Sequence, residues 1–217
     1  MKYLLATSSL PLMAIANPAV AQDSYEGLYV SAQAGLAFVE ETQVNVNSVD
    51  DLFRADHETG YEIAIVAGYD FGKFRIEGDV SYSDVGTPSI TDNTADVTIP
   101  TGGQIKTFSV LANALVDFGS ENGLQFSAGG GIGVMSLDNF ATVDTPGGPL
   151  AIADDNDSSF AWQLIGEVRY PVSNTLDLGV RYRFKRAEFD TVDPLGGDQV
   201  NFTDTFHSAL ATATFNF

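Results

Sequence analysis

The chain has no cysteine, so a disulfide, a thiolate nucleophile and a Cys-ligated metal site are all excluded. It has only 2 His and 1 Trp, which leaves little for imidazole chemistry. Lys and Arg together number 10 against 29 Asp and Glu, a formal net charge of -19. Nucleic acid is excluded as a partner, because phosphate binding needs clustered cations. After residue 21 no apolar run approaches the eighteen or so residues of a spanning helix. A chain that meets a membrane without such a helix must cross it as a closed barrel, where every backbone polar group finds a partner.

What is present points the same way. The 217 residues include 21 Gly, 15 Phe and 8 Tyr, a composition that favours an aromatic-rich β protein. Met1-Lys2, the apolar Tyr3 to Ala16 and the Ala19-Val20-Ala21 cleavage pattern read as a secretory signal peptide over 1–21, with the mature domain at 22–217.

Eight stretches alternate apolar with small or polar residues: about Glu26 to Val39, Thr59 to Asp70, Lys73 to Ser83, Lys106 to Phe118, Leu124 to Leu137, Ser159 to Tyr170, Thr175 to Lys185 and Thr205 to Phe217. Each runs to about eleven to fourteen residues, longer than the five or six of a globular strand and long enough to cross a bilayer at a tilt. The connections alternate as well. Glu40 to Glu58, Asp84 to Ile105, Asp138 to Ser158 and Arg186 to Asp204 are long, while Phe71-Gly72, Gly119 to Gly123 and Pro171 to Asn174 are short. Long loops on one end and short turns on the other describe an up-and-down transmembrane barrel. The expected fold is therefore all-β, an eight-stranded antiparallel up-and-down transmembrane β-barrel behind an N-terminal signal peptide.

Parity sorts the faces, since successive strand side chains point opposite ways. Phe74, Ile76, Gly78, Val80 and Tyr82 oppose Lys73, Arg75, Glu77, Asp79 and Ser81. Leu176, Leu178, Val180, Tyr182 and Phe184 oppose Asp177, Gly179, Arg181 and Arg183. Aromatics gather at the ends of the apolar face: Phe38, Tyr61, Tyr69, Phe74, Tyr82, Phe118, Trp162, Tyr170, Tyr182, Phe184 and Phe215. Two such belts are what lipid interfaces select. The same alternation turned inside out would give a soluble, lipocalin-like ligand carrier, with a weakly charged exterior on the fourth and fifth stretches.

With lipid outside, the charged set faces the lumen. Counted from the short turns, Glu62, Glu77, Asp79, Arg181 and Arg183 lie near mid-height, and Arg75, Asp117, Glu167 and Arg169 lie lower. Pairing of Glu77 and Asp79, helped by Glu62, with Arg181 and Arg183 would plug the barrel and pin its register, because unpaired buried charge is costly. The bland reading is wet lumen packing. His207 and Ser208 are adjacent, so they take opposite faces and cannot pair as base and nucleophile. No catalytic, cofactor or metal site is expected. The Gly-rich Ser127 to Gly133 lacks the Lys-Ser/Thr and helix of a phosphate loop, and its glycines make room in a narrow lumen or let the strand curve. The acidic loops, with Asp154-Asp155-Asn156-Asp157 the densest run, read as a solvated coat rather than a dedicated calcium loop.

The chain resembles the eight-stranded outer-membrane barrels typified by the OmpA transmembrane domain, OmpX and the opacity-type surface antigens. The likeness is carried by Gly27-Leu28-Tyr29-Val30, by Gly68 to Glu77, by Ser109 to Phe118, by Leu178 to Phe184 and by the closing His207 to Leu210 and Phe215-Asn216-Phe217. The resemblance implies an outer-membrane location in a Gram-negative bacterium, contact with lipid and lipopolysaccharide, and recognition of the terminal Phe217 by the barrel-assembly machinery. It also implies that the peptidoglycan-binding domain of full-length OmpA-type proteins is missing, and that lipid A deacylase chemistry, with His and Ser two apart, is not matched. A monomer that displays loops to a surface receptor is the first expected function. A narrow porin-like channel for small solutes or cations and the soluble carrier are the alternatives.

Overall fold

The computed structural model describes residues 26–40, 42–46, 49–92, 97–120, 123–145, 148–192 and 199–217. The signal-peptide reading of 1–21 lies outside these residues. Ten strands follow in chain order: β1 (Glu26–Val39), β2 (Thr42–Val46), β3 (Val49–Asp56), β4 (Gly60–Phe71), β5 (Phe74–Asp92), β6 (Val97–Gly119), β7 (Gln125–Thr145), β8 (Gly148–Pro171), β9 (Leu176–Val192) and β10 (Gln199–Asn216). Eight of them make the barrel. β1 pairs antiparallel with β4, the ladder continues through β5, β6, β7, β8 and β9 to β10, and β10 pairs back with β1. No helix among the described residues is long and apolar enough to cross a membrane.

The register fixes the dimensions. Paired residues run from Tyr29 to Gly68, Glu77, Asn113, Gly131, Gln163, Lys185 and Phe206, and return to β1 at Val39. One circuit therefore climbs from 29 to 39, a shear of 10 residues. With about 3.3 Å per residue and about 4.8 Å between strands, eight strands at this shear tilt by about 40° and enclose a backbone radius of roughly 8 Å. Side chains from opposite walls meet across such a space.

Parity is realised as alternating exposure: β1 reads exposed at Leu28, Val30, Ala32, Ala34, Leu36 and Phe38, and buried at Tyr29, Ser31, Gln33 and Ala37. Arg181 and Glu77 point into the lumen while Leu178 and Ile76 face out. This orientation removes the soluble-carrier alternative, which needs the reverse. Tyr69, Phe74, Phe118, Phe126, Tyr170 and Phe215 ring the short-turn end, and Phe38, Tyr61, Tyr82, Phe108, Phe160, Trp162 and Phe184 ring the other. Tyr61 and Tyr69 are the two ends of β4, separated by roughly 20 Å along the barrel axis. Tyr182 sits below the upper ring, nearer mid-height, rather than in a belt; its hydroxyl reaches upward to His207. Between the rings Ile65 stands 63 % exposed at mid-strand. Ile65→Arg is expected to cost about 2–4 kcal/mol in a lipid bilayer, the penalty of a cation at the hydrocarbon midplane. Urea titration of the refolded protein in liposomes checks it.

The long connections differ from the expectation. Asp84 to Ile105, Asp138 to Ser158 and Arg186 to Asp204 are largely strand, because β5 runs on to Asp92, β6 starts at Val97, and β7–β8 and β9–β10 continue likewise. Glu40 to Glu58 holds the β2–β3 hairpin, which pairs with β10 through Val46–Val200 and with β5 from Asp56–Ser89 to Phe53–Asp92. The hairpin thus continues the wall above the shorter β1 and β4. The ladder simply persists beyond the lipid-facing band. The short ends are true turns. Gly72 and Gly119 take φ of 88° and 110°, which side chains avoid, and Asp70 Oδ1 accepts the Gly72 N–H at 2.8 Å.

Candidate functional site: the lumen

The inward positions of the barrel collect half of the chain's cations, Arg75, Arg169, Arg181, Arg183 and Lys185, out of 10 Lys and Arg in all. Seven carboxylates meet them: Glu62, Asp70, Glu77, Asp79, Asp117, Glu167 and Asp177.

The lower lattice is built on β5, β8 and β9. Arg181 on β9 grips Glu77 on β5 with two parallel bonds, Nη1 to Oε2 at 3.0 Å and Nη2 to Oε1 at 2.8 Å. This is the fork geometry that makes Arg–carboxylate pairs strong. Nη2 also donates to Glu167 Oε2 at 3.0 Å. Arg75 donates from Nη2 to the same Glu167 oxygen at 2.9 Å and to Ser127 Oγ at 2.7 Å, and from Nε to Asp117 Oδ2 at 2.9 Å. Tyr29 adds a hydroxyl to Glu77 Oε1 at 2.7 Å, and its ring lies 5.5 Å from the Arg75 guanidinium. A Cβ at the opposing Gly68 would strike the Tyr29 ring at 2.7 Å, so the missing side chain makes room for this tyrosine.

The upper lattice centres on Glu62 of β4, higher in the lumen than Glu77 and Asp79. Its Oε1 accepts from Arg183 Nη1 at 2.9 Å and Lys185 Nζ at 3.2 Å, and its Oε2 from Ser208 Oγ at 2.6 Å. Arg183 also meets Asp79 at 2.9 Å and donates to Gln33 Oε1. Lys185 donates to Ser81 at 3.0 Å. Gln163 links the two lattices, donating to Asn113 Oδ1 at 2.7 Å and reaching Asp79 Oδ2 at 3.5 Å. Arg181 and Arg183 retain no accessible surface.

At the periplasmic mouth the contacts loosen. Arg169 lies 3.8 Å from Asp70, 3.7 Å from Asp117 and 3.7 Å from Asp177, beyond direct hydrogen-bond reach. Carboxylate exceeds cation here.

Lys185, Asp70, Asp177, Tyr29, Gln163 and Asn113 also belong to this constellation, beyond the nine residues that the sequence nominates for the network. Lys185 shares the parity of Arg181 and Arg183 and could have been found by carrying the count two residues further. On the outside, His207 faces the lipid while Ser208 faces the lumen. His207 shares a 2.6 Å hydrogen bond with Tyr182 through Nδ1 and donates from Nε2 to Glu40 Oε1 at 2.8 Å. The Phe184 ring packs edge-on to the imidazole at 5.3 Å and lies 5.5 Å from Trp162. This chain clasps β9, β10 and the end of β1 across the seam where the barrel closes. The terminal Phe217 is exposed at the periplasmic end, its N–H donating to Leu28 O at 2.9 Å. No group of three His, Cys, Asp or Glu that could hold a metal occurs among the described residues. The side chains of Asp154 and Asp155 lie outside them.

The described outer membrane protein beta-barrel domain matches residues 7–217 of this chain. No curated protein matches it. Among solved structures, Neisserial surface protein A is 21% identical, with 88% of this chain and 97% of that one covered at a TM-score of 0.47. OprG from Pseudomonas aeruginosa is 11% identical, with 89% and 99% covered at 0.49. The outer membrane protease OmpT from Escherichia coli is 8% identical, with 92% and 99% covered at 0.53. At these identities the likeness is one of fold alone. With inward charge, outward grease and a family match spanning nearly its whole length, the chain belongs to the outer membrane protein β-barrel family and sits in the outer membrane of a Gram-negative bacterium.

Proposed function

We propose that this barrel is a non-conducting, non-enzymatic surface protein: a lipid-anchored cylinder, closed by its own ion pairs, that presents four acidic strand hairpins to the exterior. The observation that carries this is the double lattice around Glu77 and Glu62, which spans the lumen between opposite walls with bonds of 2.8–3.2 Å. Eight strands leave a space that side chains nearly fill. The His207 nitrogens are both engaged by Tyr182 and Glu40, and the Ser208 hydroxyl by Glu62, so neither is offered to a substrate. The partners in this reading are outer-leaflet lipopolysaccharide around the upper aromatic ring, the assembly machinery at Phe217, and a surface receptor at the hairpins, with the protein acting as a monomer.

One observation favours a second reading, a narrow cation-preferring pore. Carboxylates outnumber cations in the lumen, and the excess lies at the mouth around the loosely held Arg169. Single-channel recording of the mature chain in a planar bilayer separates the two. The closed-barrel proposal expects no resolvable current from protein whose gel migration shifts on boiling. Reproducible cation-selective steps would replace it with the pore.

A further inference from the structure

Above the ion pairs the lumen changes character. Ile105 and Leu111 of β6, Met135 and Leu137 of β7, Ala161 of β8, Ala187 of β9 and Phe206 of β10 form one buried apolar cluster, with Val39 of β1 packed against it. The register places it directly over the upper lattice. Phe206 pairs with Lys185 on one side and Val39 on the other, and Ala187 and Ala161 are the next inward positions above Lys185 and Gln163. Leu111 rises from the level of Asp79, its partner on β5, and buried Val85 stands opposite Ile105. The outward neighbours of these residues, Phe38, Phe160 and Trp162, belong to the upper aromatic ring, so the cluster lies at the outer-leaflet interface. A lumen that merely held ion pairs in water would have no reason to put Met, Leu and Phe there.

We propose that this apolar septum is a second seal, independent of the ion pairs, which bars water and ions from the extracellular side. The reading rests on the closed-barrel proposal and deepens it. A guanidinium–carboxylate lattice closes only where its pairs are tight, and around Arg169 at the opposite mouth they stand 3.7–3.8 Å apart. An apolar constriction excludes ions by dewetting, and the side chains of this cluster carry no charge, although buried Asp204 stands beside it, paired with Ala187. Five large side chains from three strands, β6, β7 and β10, point into a lumen of roughly 8 Å backbone radius. Met135, Ala161 and Ala187 keep 1 % of their surface accessible at most. The ion pairs then serve mainly to fix register, and the septum to close the mouth.

The cysteine-free chain offers a direct test. Ser81, which accepts a bond from Lys185 and pairs with Ser109 between Leu111 and Ile105, lies beneath Met135, Leu137 and Phe206. Ser81→Cys is introduced and intact cells are treated with a membrane-impermeant thiol reagent. In the otherwise native barrel, and in one whose lattice is neutralised by Glu77→Gln with Arg181→Gln, labelling is expected to stay slow. With Leu137→Ala and Phe206→Ala it is expected to rise on the order of tenfold, because water now enters. Boil-shifted migration confirms that each variant folds, and Phe206→Ala alone serves if the double does not. Fast labelling with the septum intact, or slow labelling with it opened, overturns the septum. Single-channel steps from the unaltered protein, by contrast, strike the closed-barrel proposal itself, so the two failures are told apart.

Discussion

Arg181→Ala is expected to lower the stability of the folded barrel by about 3–5 kcal/mol, the largest loss of any lumen charge. The guanidinium is fully buried and holds two carboxylates at once, Glu77 by two bonds and Glu167 by a third. Truncation leaves both with Arg75 as their close cation, at 3.3 Å and 2.9 Å, while Arg169 stands 4.0 Å from Glu167. The penalty is that of stranding charge in a space without bulk water, not the net value of the pair. A paired change therefore behaves differently. Arg181→Met with Glu77→Gln removes one charge of each sign and is expected to recover more than half of the loss, since Tyr29 can still donate to the amide oxygen. Arg186, on the outer face of the same strand, provides the control, and Arg186→Ala is expected to stay within about 0.5 kcal/mol. Equilibrium urea unfolding in liposomes, read by boil-shifted gel migration, measures all three. A loss below about 1 kcal/mol for Arg181→Ala would mean that the pair is solvated and worth no more than a surface bridge.

How far the sequence reached depended on contrast between the two faces of a strand. On β5, β8 and β9 grease largely alternates with charge, so parity puts Glu77, Asp79, Arg181 and Arg183 on the inward face before any coordinates. On β6, β7 and β10 both faces carry small or apolar residues. Leu111, Met135 and Phe206 are inward, yet nothing in their neighbourhood marks them as different from outward Val110, Val134 or Ala209. The apolar septum was invisible for that reason. Above the membrane the failure is of another kind. The β2–β3 hairpin and the tall ends of β5 to β10 are held by ladders to neighbouring strands. Gly, Pro and Asp in those segments argue locally for loops, and the paired neighbour overrides them. Asp177 shares the inward parity of Arg181, yet Asp70 and Asp177 each sit at a turn, where a carboxylate is ordinary, and the shear that gathers them around Arg169 is a property of closure rather than of local sequence.

Gly133→Val and Gly129→Val are each expected to prevent recovery of the folded barrel, a cost of about 3 kcal/mol or more by overpacking against backbone. Both glycines point into the lumen on β7, and the contact that forbids a side chain comes from the wall. A Cβ on Gly133 would fall on the Val110 carbonyl oxygen and lie 2.7 Å from Leu111 Cα. One on Gly129 would fall on the Ala114 carbonyl and lie 2.7 Å from Leu115 Cα. Backbone cannot rotate away, so β6 and β7 would have to part along a ladder that runs from Gln104–Phe140 to Gly119–Gln125. Gly131, between them, meets the Asn113 side chain first, which can turn at the expense of its bond to Gln163, and the Ala112 carbonyl oxygen only at 2.7 Å, a milder backbone clash than at Gly129 or Gly133. Gly131→Ala should therefore fold with a lowered urea midpoint. Gly166 on β8 faces outward with nothing within 4 Å of its would-be Cβ, and Gly166→Ala should be neutral or gain up to about 1 kcal/mol through the unfolded chain. The order of the four is the measurement: folded yield and urea midpoint falling from Gly166→Ala through Gly131→Ala to the two valines. Native midpoints for Gly133→Val would show that β6 and β7 do not approach this closely, and the narrow, strongly sheared cylinder that brings the lumen charges within reach of one another would have to be redrawn.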